Sequence, residues 1–236
     1  MPSAKAEPRA IAAEALGTAF LVMGVVGSGI MAARLTQDMA LALLCNTAAT
    51  AAILIVLVRV FAPVSGAHLN PAVTLSFALR GEMGWTWAAA FIAAQIAGGL
   101  AGTALAHLMF AMPAFAAGLR ARTGFGQWLG EFIATFGLLL TIFGCRSRPR
   151  ALASAIGLYI AAAYWFTAST SFANPAVAIA RALTPSFSGI RPQDAGFFIL
   201  AELAGALAAT IGARFLFRLP RTEDSGAPDY SAATLT

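Results

Sequence analysis

Asn70 and Asn174 are polar amides, each able to cap a helix with its side-chain oxygen and to donate from its N–H groups to another oxygen. Each opens an Asn-Pro-Ala tripeptide, Asn70-Pro71-Ala72 and Asn174-Pro175-Ala176, and each tripeptide lies between long apolar runs. Asparagine is a strong helix N-cap, and proline suits the first helical turn, where its missing N–H has no partner to lose. Each tripeptide therefore predicts the start of a short helix at membrane depth. Lipid offers no water to free backbone groups, so non-helical chain at that depth must line a polar path or be buried in protein. The chemistry available is hydrogen bonding to a permeant oxygen. Three carboxyls, Glu14, Glu131 and Glu202, also fall inside apolar runs, where a charge needs a partner. Glu14 and Glu131 are expected to accept N–H groups from the two non-helical loops, a proton relay being the alternative reading. No nucleophile stands beside a base, and Cys45 and Cys145 supply neither a metal cluster nor a disulfide framework. Neither an enzyme nor a resident metal or cofactor is expected; Cys45 is expected to pack inside its span.

The elements that must position these groups follow from composition. Hydrophobic residues make up 59% of the 236 positions and charged residues 11%, the balance of a multi-span membrane protein. A crossing helix needs about 20 apolar residues. Six stretches meet this, at roughly 10–32, 39–61, 86–109, 125–145, 151–170 and 195–217, while the segments after Asn70 and Asn174 are too short. The expected fold is an all-α membrane protein of six transmembrane helices and two half-helices. One channel-sized domain would span 10–217, with a short terminus at 1–9 and a disordered tail at 218–236.

The two halves echo each other. Ala13-Glu14-Ala15-Leu16-Gly17-Thr18 is matched by Gly130-Glu131-Phe132-Ile133-Ala134-Thr135, and the segment around Gln95 and Gly98 by that around Glu202 and Gly205. Three spans per half make the second half enter from the opposite face. The result is an inverted repeat whose two short helices approach the midplane from opposite sides. Small residues at four-residue spacing, Gly98 and Gly102 among them, predict close helix packing. Glu202 is expected to be a packing or oligomer-contact residue.

The net charge of +5 reflects topology and implies no nucleic-acid partner. Ten of the fifteen Lys and Arg residues fall on the side of the termini, against Arg34, Arg120, Arg122, Arg181 and Arg191 on the other. By the positive-inside rule both termini are cytoplasmic, in a multi-pass protein of the cell membrane. Glu14 within the first apolar run argues against a cleaved signal peptide.

The run Ser65-Gly66-Ala67-His68-Leu69-Asn70-Pro71-Ala72-Val73-Thr74, with the second tripeptide and the matched Glu-x-x-x-Thr segments, resembles the major intrinsic proteins, the aquaporins and aquaglyceroporins. The resemblance covers about residues 10–217. It implies a homotetramer in the lipid bilayer with one pore per subunit, conducting water and neutral small solutes. Two helix N-termini meeting at the midplane would oppose cations, and the paired asparagines would break a proton wire.

In that family a second constriction is built from four positions. Counted from the tripeptides, they correspond here to Thr50, Ala162, Ser171 and Val177. The last is nearly always arginine in the family, so a wide, weakly polar filter is expected. Valine there resembles aquaglyceroporins associated with bacterial arsenic resistance, which suggests metalloid hydroxides or methylated arsenicals beside glycerol-like polyols as cargo. Mercurial-sensitive members often carry cysteine where this chain has Ser171. Arg181, one turn beyond Val177, is expected to snorkel to the interface, the alternative being a positive charge at the pore mouth. His68 is expected to face the pore on the cytoplasmic side, and His107 to be interfacial. A water-selective channel and a secondary transporter remain as alternative readings.

Overall fold

The computed structural model describes residues 8–217, the side chains of 149 and 150 excepted. Most of the expected N-terminal segment and the whole expected tail lie outside the described residues. Eight helices follow in order: α1 (Pro8–Leu35), α2 (Met39–Ser65), α3 (Pro71–Leu79), α4 (Trp85–Met109), α5 (Phe125–Cys145), α6 (Pro149–Phe166), α7 (Pro175–Arg181) and α8 (Pro192–Leu216). There is no strand among the described residues. Five of the helices are long and apolar enough to cross a membrane, and α6 carries a shorter apolar run over Ala151–Phe166. Large apolar side chains such as Phe20, Leu105, Leu158 and Leu200 face outward, as lipid contact requires. The short helices α3 and α7 are the expected half-helices.

Local sequence explains the helix ends. Asp38 starts α2 by accepting the N–H groups of Ala40 and Leu41 at 2.8 and 3.0 Å. Gly66 ends it in the left-handed conformation, with φ of 87°, which glycine adopts without a Cβ clash. The α6 helix stops at Phe166, four residues earlier than expected. Thr167 turns extended and its hydroxyl bonds back to the Ala163 carbonyl at 2.7 Å. The residues that follow are spent on the loop that re-enters the membrane.

Packing follows the repeat. Helix α1 lies against α4, and α5 against α8, as symmetry-related pairs. A Cβ on Gly98 would overlap the Ala15 carbonyl oxygen, one on Gly102 that of Ala19, and one on Gly205 that of Phe132. Glycine is therefore what lets these backbones touch. The α2–α6 contact closes the bundle across the repeat, and α3 meets α7 tip to tip.

With six crossings, both ends of the described chain lie on one face, here called the terminal face; the other is the distal face. The α4–α5 connection runs across the distal end of α7, where Ala116 and Gly118 donate their N–H groups to the carbonyls of Leu183 and Ala182. Three side chains depart from expectation. His107 is buried, its ring nitrogens 2.7 Å from the Pro113 carbonyl and 2.7 Å from the Thr184 hydroxyl, so it ties α4 to the distal loops and is not interfacial. Cys45 is exposed on α2 and is not buried inside its span. Glu202 is fully buried, which removes an oligomer contact from its possible roles.

Candidate functional site: the pore between two half-helices

The two re-entrant loops repeat the same backbone device. Ala67 and Leu69 have φ of 51° and 49°, and Ser171 and Ala173 have φ of 50° and 49°. These residues stand three and one before their asparagines. Left-handed backbone costs a non-glycine residue about 1–2 kcal/mol, so each loop needs support. Glu14 supplies it in the first half, accepting the N–H of His68 at 3.0 Å and of Leu69 at 2.7 Å. Glu131 supplies it in the second, accepting the N–H of Phe172 at 2.9 Å and of Ala173 at 2.7 Å. Both carboxyls are fully buried. Helices α4 and α8 add to this scaffold. Gln95 donates to Glu14 at 2.7 Å and to the Thr74 hydroxyl at 2.9 Å. Its repeat counterpart Glu202 instead accepts the N–H of Asn174 at 3.1 Å. Glu202 is thus a loop-holding residue. The signal for it was its match to Gln95 in the repeat.

Each asparagine does two jobs. The Asn70 side-chain oxygen caps α3 by accepting the Ala72 N–H at 2.9 Å, and that of Asn174 caps α7 by accepting the Ala176 N–H at 3.0 Å. Their amides cross over: Asn70 donates to the Ala173 carbonyl at 2.7 Å and Asn174 to the Leu69 carbonyl at 2.8 Å. An amide has two N–H donors, so each keeps one for the cavity that both asparagines line. Pro71, Ala72, Pro175 and Ala176 are buried in the first turns behind them.

That cavity is narrow and is walled by residues of both halves of the chain. Asn70 and Asn174 sit at its middle by virtue of where α3 and α7 begin. Chain direction places Thr50, Tyr164, Ser171, Val177 and Arg181 toward the distal face and His68, Val58, Val73, Ile142 and Ile156 toward the terminal face; all of them line it. The wall facing the asparagines is apolar, with Leu21, Val25, Leu54 and Leu138. His68 holds its ring 3.1 Å from the Thr74 hydroxyl.

Two expected positions are corrected. Ala162 is exposed and does not line the cavity. On α6 the lining residues are Ile156, Ile160 and Tyr164, four apart. Ala162 lies two residues from both of the latter, about 200° around the helix. The count back from Asn174 crosses irregular chain between α6 and α7 and so does not fix a face of α6. Tyr164 lines the cavity instead, its hydroxyl 3.2 Å from that of Thr50. Arg181 is buried at 1% exposure and does not snorkel. Its guanidinium lies 3.3 Å from the centroid of the Phe172 ring, and Nε donates to the Ser188 carbonyl at 2.5 Å.

Sequence reasoning missed Arg122. It sits in irregular chain, where no periodicity marks it. Its N–H donates to Asp194 at 2.9 Å, and its guanidinium to the carbonyls of Gly189 and Ser169 at 3.0 and 2.8 Å. Burial, with the charges of Arg181 and Arg120 close by, lowers its pKa to about 9. It is a clamp across the distal loops.

Neither native cysteine lines the cavity, whereas the Ser171 hydroxyl does and has no partner in the protein. The unmodified protein is expected to keep its flux in the presence of mercurials. Ser171→Cys is expected to lose most of it, reversibly with added thiol, because the metal would bond inside the cavity wall. Vesicle swelling with and without mercuric chloride checks both halves, and strong inhibition of the unmodified protein would contradict the placement.

A six-crossing inverted repeat with one central cavity, pinched by two asparagine-capped half-helices, defines a membrane channel. The chain belongs to the major intrinsic protein family, which its residues 2–154 match. Members of this family are passive channels, not enzymes. The chain is 57% identical over 214 residues to the aquaglyceroporin AqpS of Rhizobium meliloti, covering 90% of this chain and 92% of that protein. It is 34% identical over 154 residues to the aquaporin NIP1-3 of Oryza sativa, over 64% of this chain and 53% of the relative. Among solved structures, the aquaglyceroporin from Plasmodium falciparum shares the fold, with a TM-score of 0.65 at 21% identity over 88% of this chain and 94% of that one.

Proposed function

We propose that the protein is a passive aquaglyceroporin-type channel for small to medium neutral solutes, carrying glycerol-like polyols, metalloid hydroxides and methylated arsenicals together with water. The observation that carries this reading is the crossed asparagine pair on one cavity. Each half-helix brings an effective half positive charge to the same place, which disfavours cations. A solute oxygen accepting from both asparagines is turned away from its neighbours, which interrupts proton hopping. The cavity's polar wall and opposing apolar wall fit solutes with hydroxyls on one side and a carbon or soft-atom face on the other. The 57% identity to an aquaglyceroporin of a bacterium supports a cell-membrane location. In this reading both termini are cytoplasmic and residues 10–217 act as one channel domain within a homotetramer. Thr50, Ser171 and Val177 form the distal constriction, and Glu14 and Glu131 hold the loops.

The test is swelling of proteoliposomes in a graded panel of water, urea, glycerol and larger polyols. Non-saturable flux that falls with solute size is expected. Asn70→Ala and Asn174→Ala each remove a cap worth about 0.5–2 kcal/mol and a pore donor, and folded protein of either variant is expected to conduct at least about tenfold less. Saturable uptake that needs an ion gradient would replace the channel with a transporter. Undiminished flux in either folded variant would remove the asparagines from the mechanism.

A further inference from the structure

Arg181 is the one cavity-lining cation among the described residues, and it stands where the sequence count puts none. Val177 and Arg181 lie four residues apart on α7, one above the other, and both line the cavity. The guanidinium is fixed from two sides. The Phe172 face lies 3.3 Å away, and Phe172 is itself braced edge-on against Phe198 at 5.0 Å. The Ser188 carbonyl takes Nε. One donor atom, Nη1, is buried and has no partner in the protein. The Ser171 hydroxyl on the same cavity is likewise buried and unpartnered. Arg122 provides the contrast: it is almost equally buried, yet its guanidinium is spent on the carbonyls of Gly189 and Ser169. A guanidinium left with an open donor and rigidly stacked in the wall of that cavity is arranged to bind something.

We propose that Arg181 is the specificity-determining residue of the distal constriction, forming with Ser171 a seat for neutral solutes that carry two adjacent oxygen acceptors and barring cations of the same size. The fork of N–H donors reads paired oxygens in a fixed geometry, and Val177 beside it gives the solute's carbon face an apolar contact. The Thr50 hydroxyl, which Tyr164 contacts, completes the polar wall. This inference rests on the channel reading above.

Urea and guanidinium are near-isosteres that differ in charge, and glycerol adds adjacent hydroxyls. Fluxes of all three are measured in proteoliposomes, with folding followed separately by monodisperse elution in detergent. The unmodified protein is expected to pass urea and glycerol and to exclude guanidinium. Failure to pass either neutral solute would sink the channel reading itself, before any question about Arg181. Arg181→Met keeps bulk and removes charge, and is expected to raise guanidinium flux relative to urea on the order of tenfold or more while lowering glycerol relative to urea. Arg181→Lys keeps the charge and loses the fork, so guanidinium stays excluded and glycerol falls. A folded Arg181→Met with both ratios unchanged would overturn the proposal. Should that variant not fold, Ser171→Ala decides: a fall in glycerol relative to urea with guanidinium still excluded supports the seat, and unchanged ratios overturn it.

Discussion

Glu131→Ala is expected to abolish solute flux and to leave little folded protein in the membrane. The carboxyl accepts two consecutive buried N–H groups, from Phe172 and Ala173. Leaving a buried donor unpaired costs about 1–3 kcal/mol. The same loop keeps Ser171 and Ala173 at positive φ, about 1–2 kcal/mol each, a strain that the two carboxyl bonds help to hold. The sum approaches the whole stability of an ordinary domain, about 5–15 kcal/mol. Glu131→Gln is expected to be milder in abundance, since its amide oxygen still accepts one N–H, but its NH2 would face the other donor. Glu14→Ala should behave like Glu131→Ala, with Gln95 also losing its acceptor. Thermal unfolding of detergent-purified protein and vesicle swelling read both effects. Wild-type flux from a folded Glu131→Ala variant would mean the loops hold their shape by packing alone.

The repeat explains why so much of this site is legible from residues alone. The match of Glu14 with Glu131, and of Asn70 with Asn174, places each pair on the same backbone device in opposite orientation, and the positive φ values repeat residue for residue. Helix starts were also legible where the two tripeptides mark them, at Asn70 and Asn174. Counting failed where it crossed irregular chain. Ala162 was placed by its distance from Asn174, but α6 presents Ile156, Ile160 and Tyr164 to the cavity, and a helix face is set by its own period, not by distance to the next motif. Arg181 was misplaced for a different reason. A lone arginine near a membrane surface ordinarily reaches for water, and only tertiary structure brings the Phe172 ring and the Ser188 carbonyl together to hold it inside. Arg122 carried no periodic signal at all, because its role depends on three loops converging. Glu202 was half legible: the repeat paired it with Gln95, but the repeat could not say that one would donate and the other accept.

Val177→Arg is expected to cut passage of larger neutral solutes by about tenfold or more, with a smaller loss for water. Val177 is buried at the cavity wall and ends close to its backbone. An arginine there would project a planar, fully charged group into the constriction. It would also stand one helical turn, a rise of about 6 Å, from Arg181. Two like charges at that separation repel by about 3 kcal/mol at an effective dielectric constant near 20, so the new side chain cannot share the Phe172 face and must occupy the lumen. The competition makes a double variant informative. With Arg181→Met added, the new guanidinium has no rival, and glycerol flux is expected to recover part of what Val177→Arg alone removes. Two observations would count against this account. An unchanged ratio of large-solute to water permeability in Val177→Arg would place the constriction elsewhere along the cavity. Strictly additive losses in the double variant would mean that the two positions do not contend for the same space.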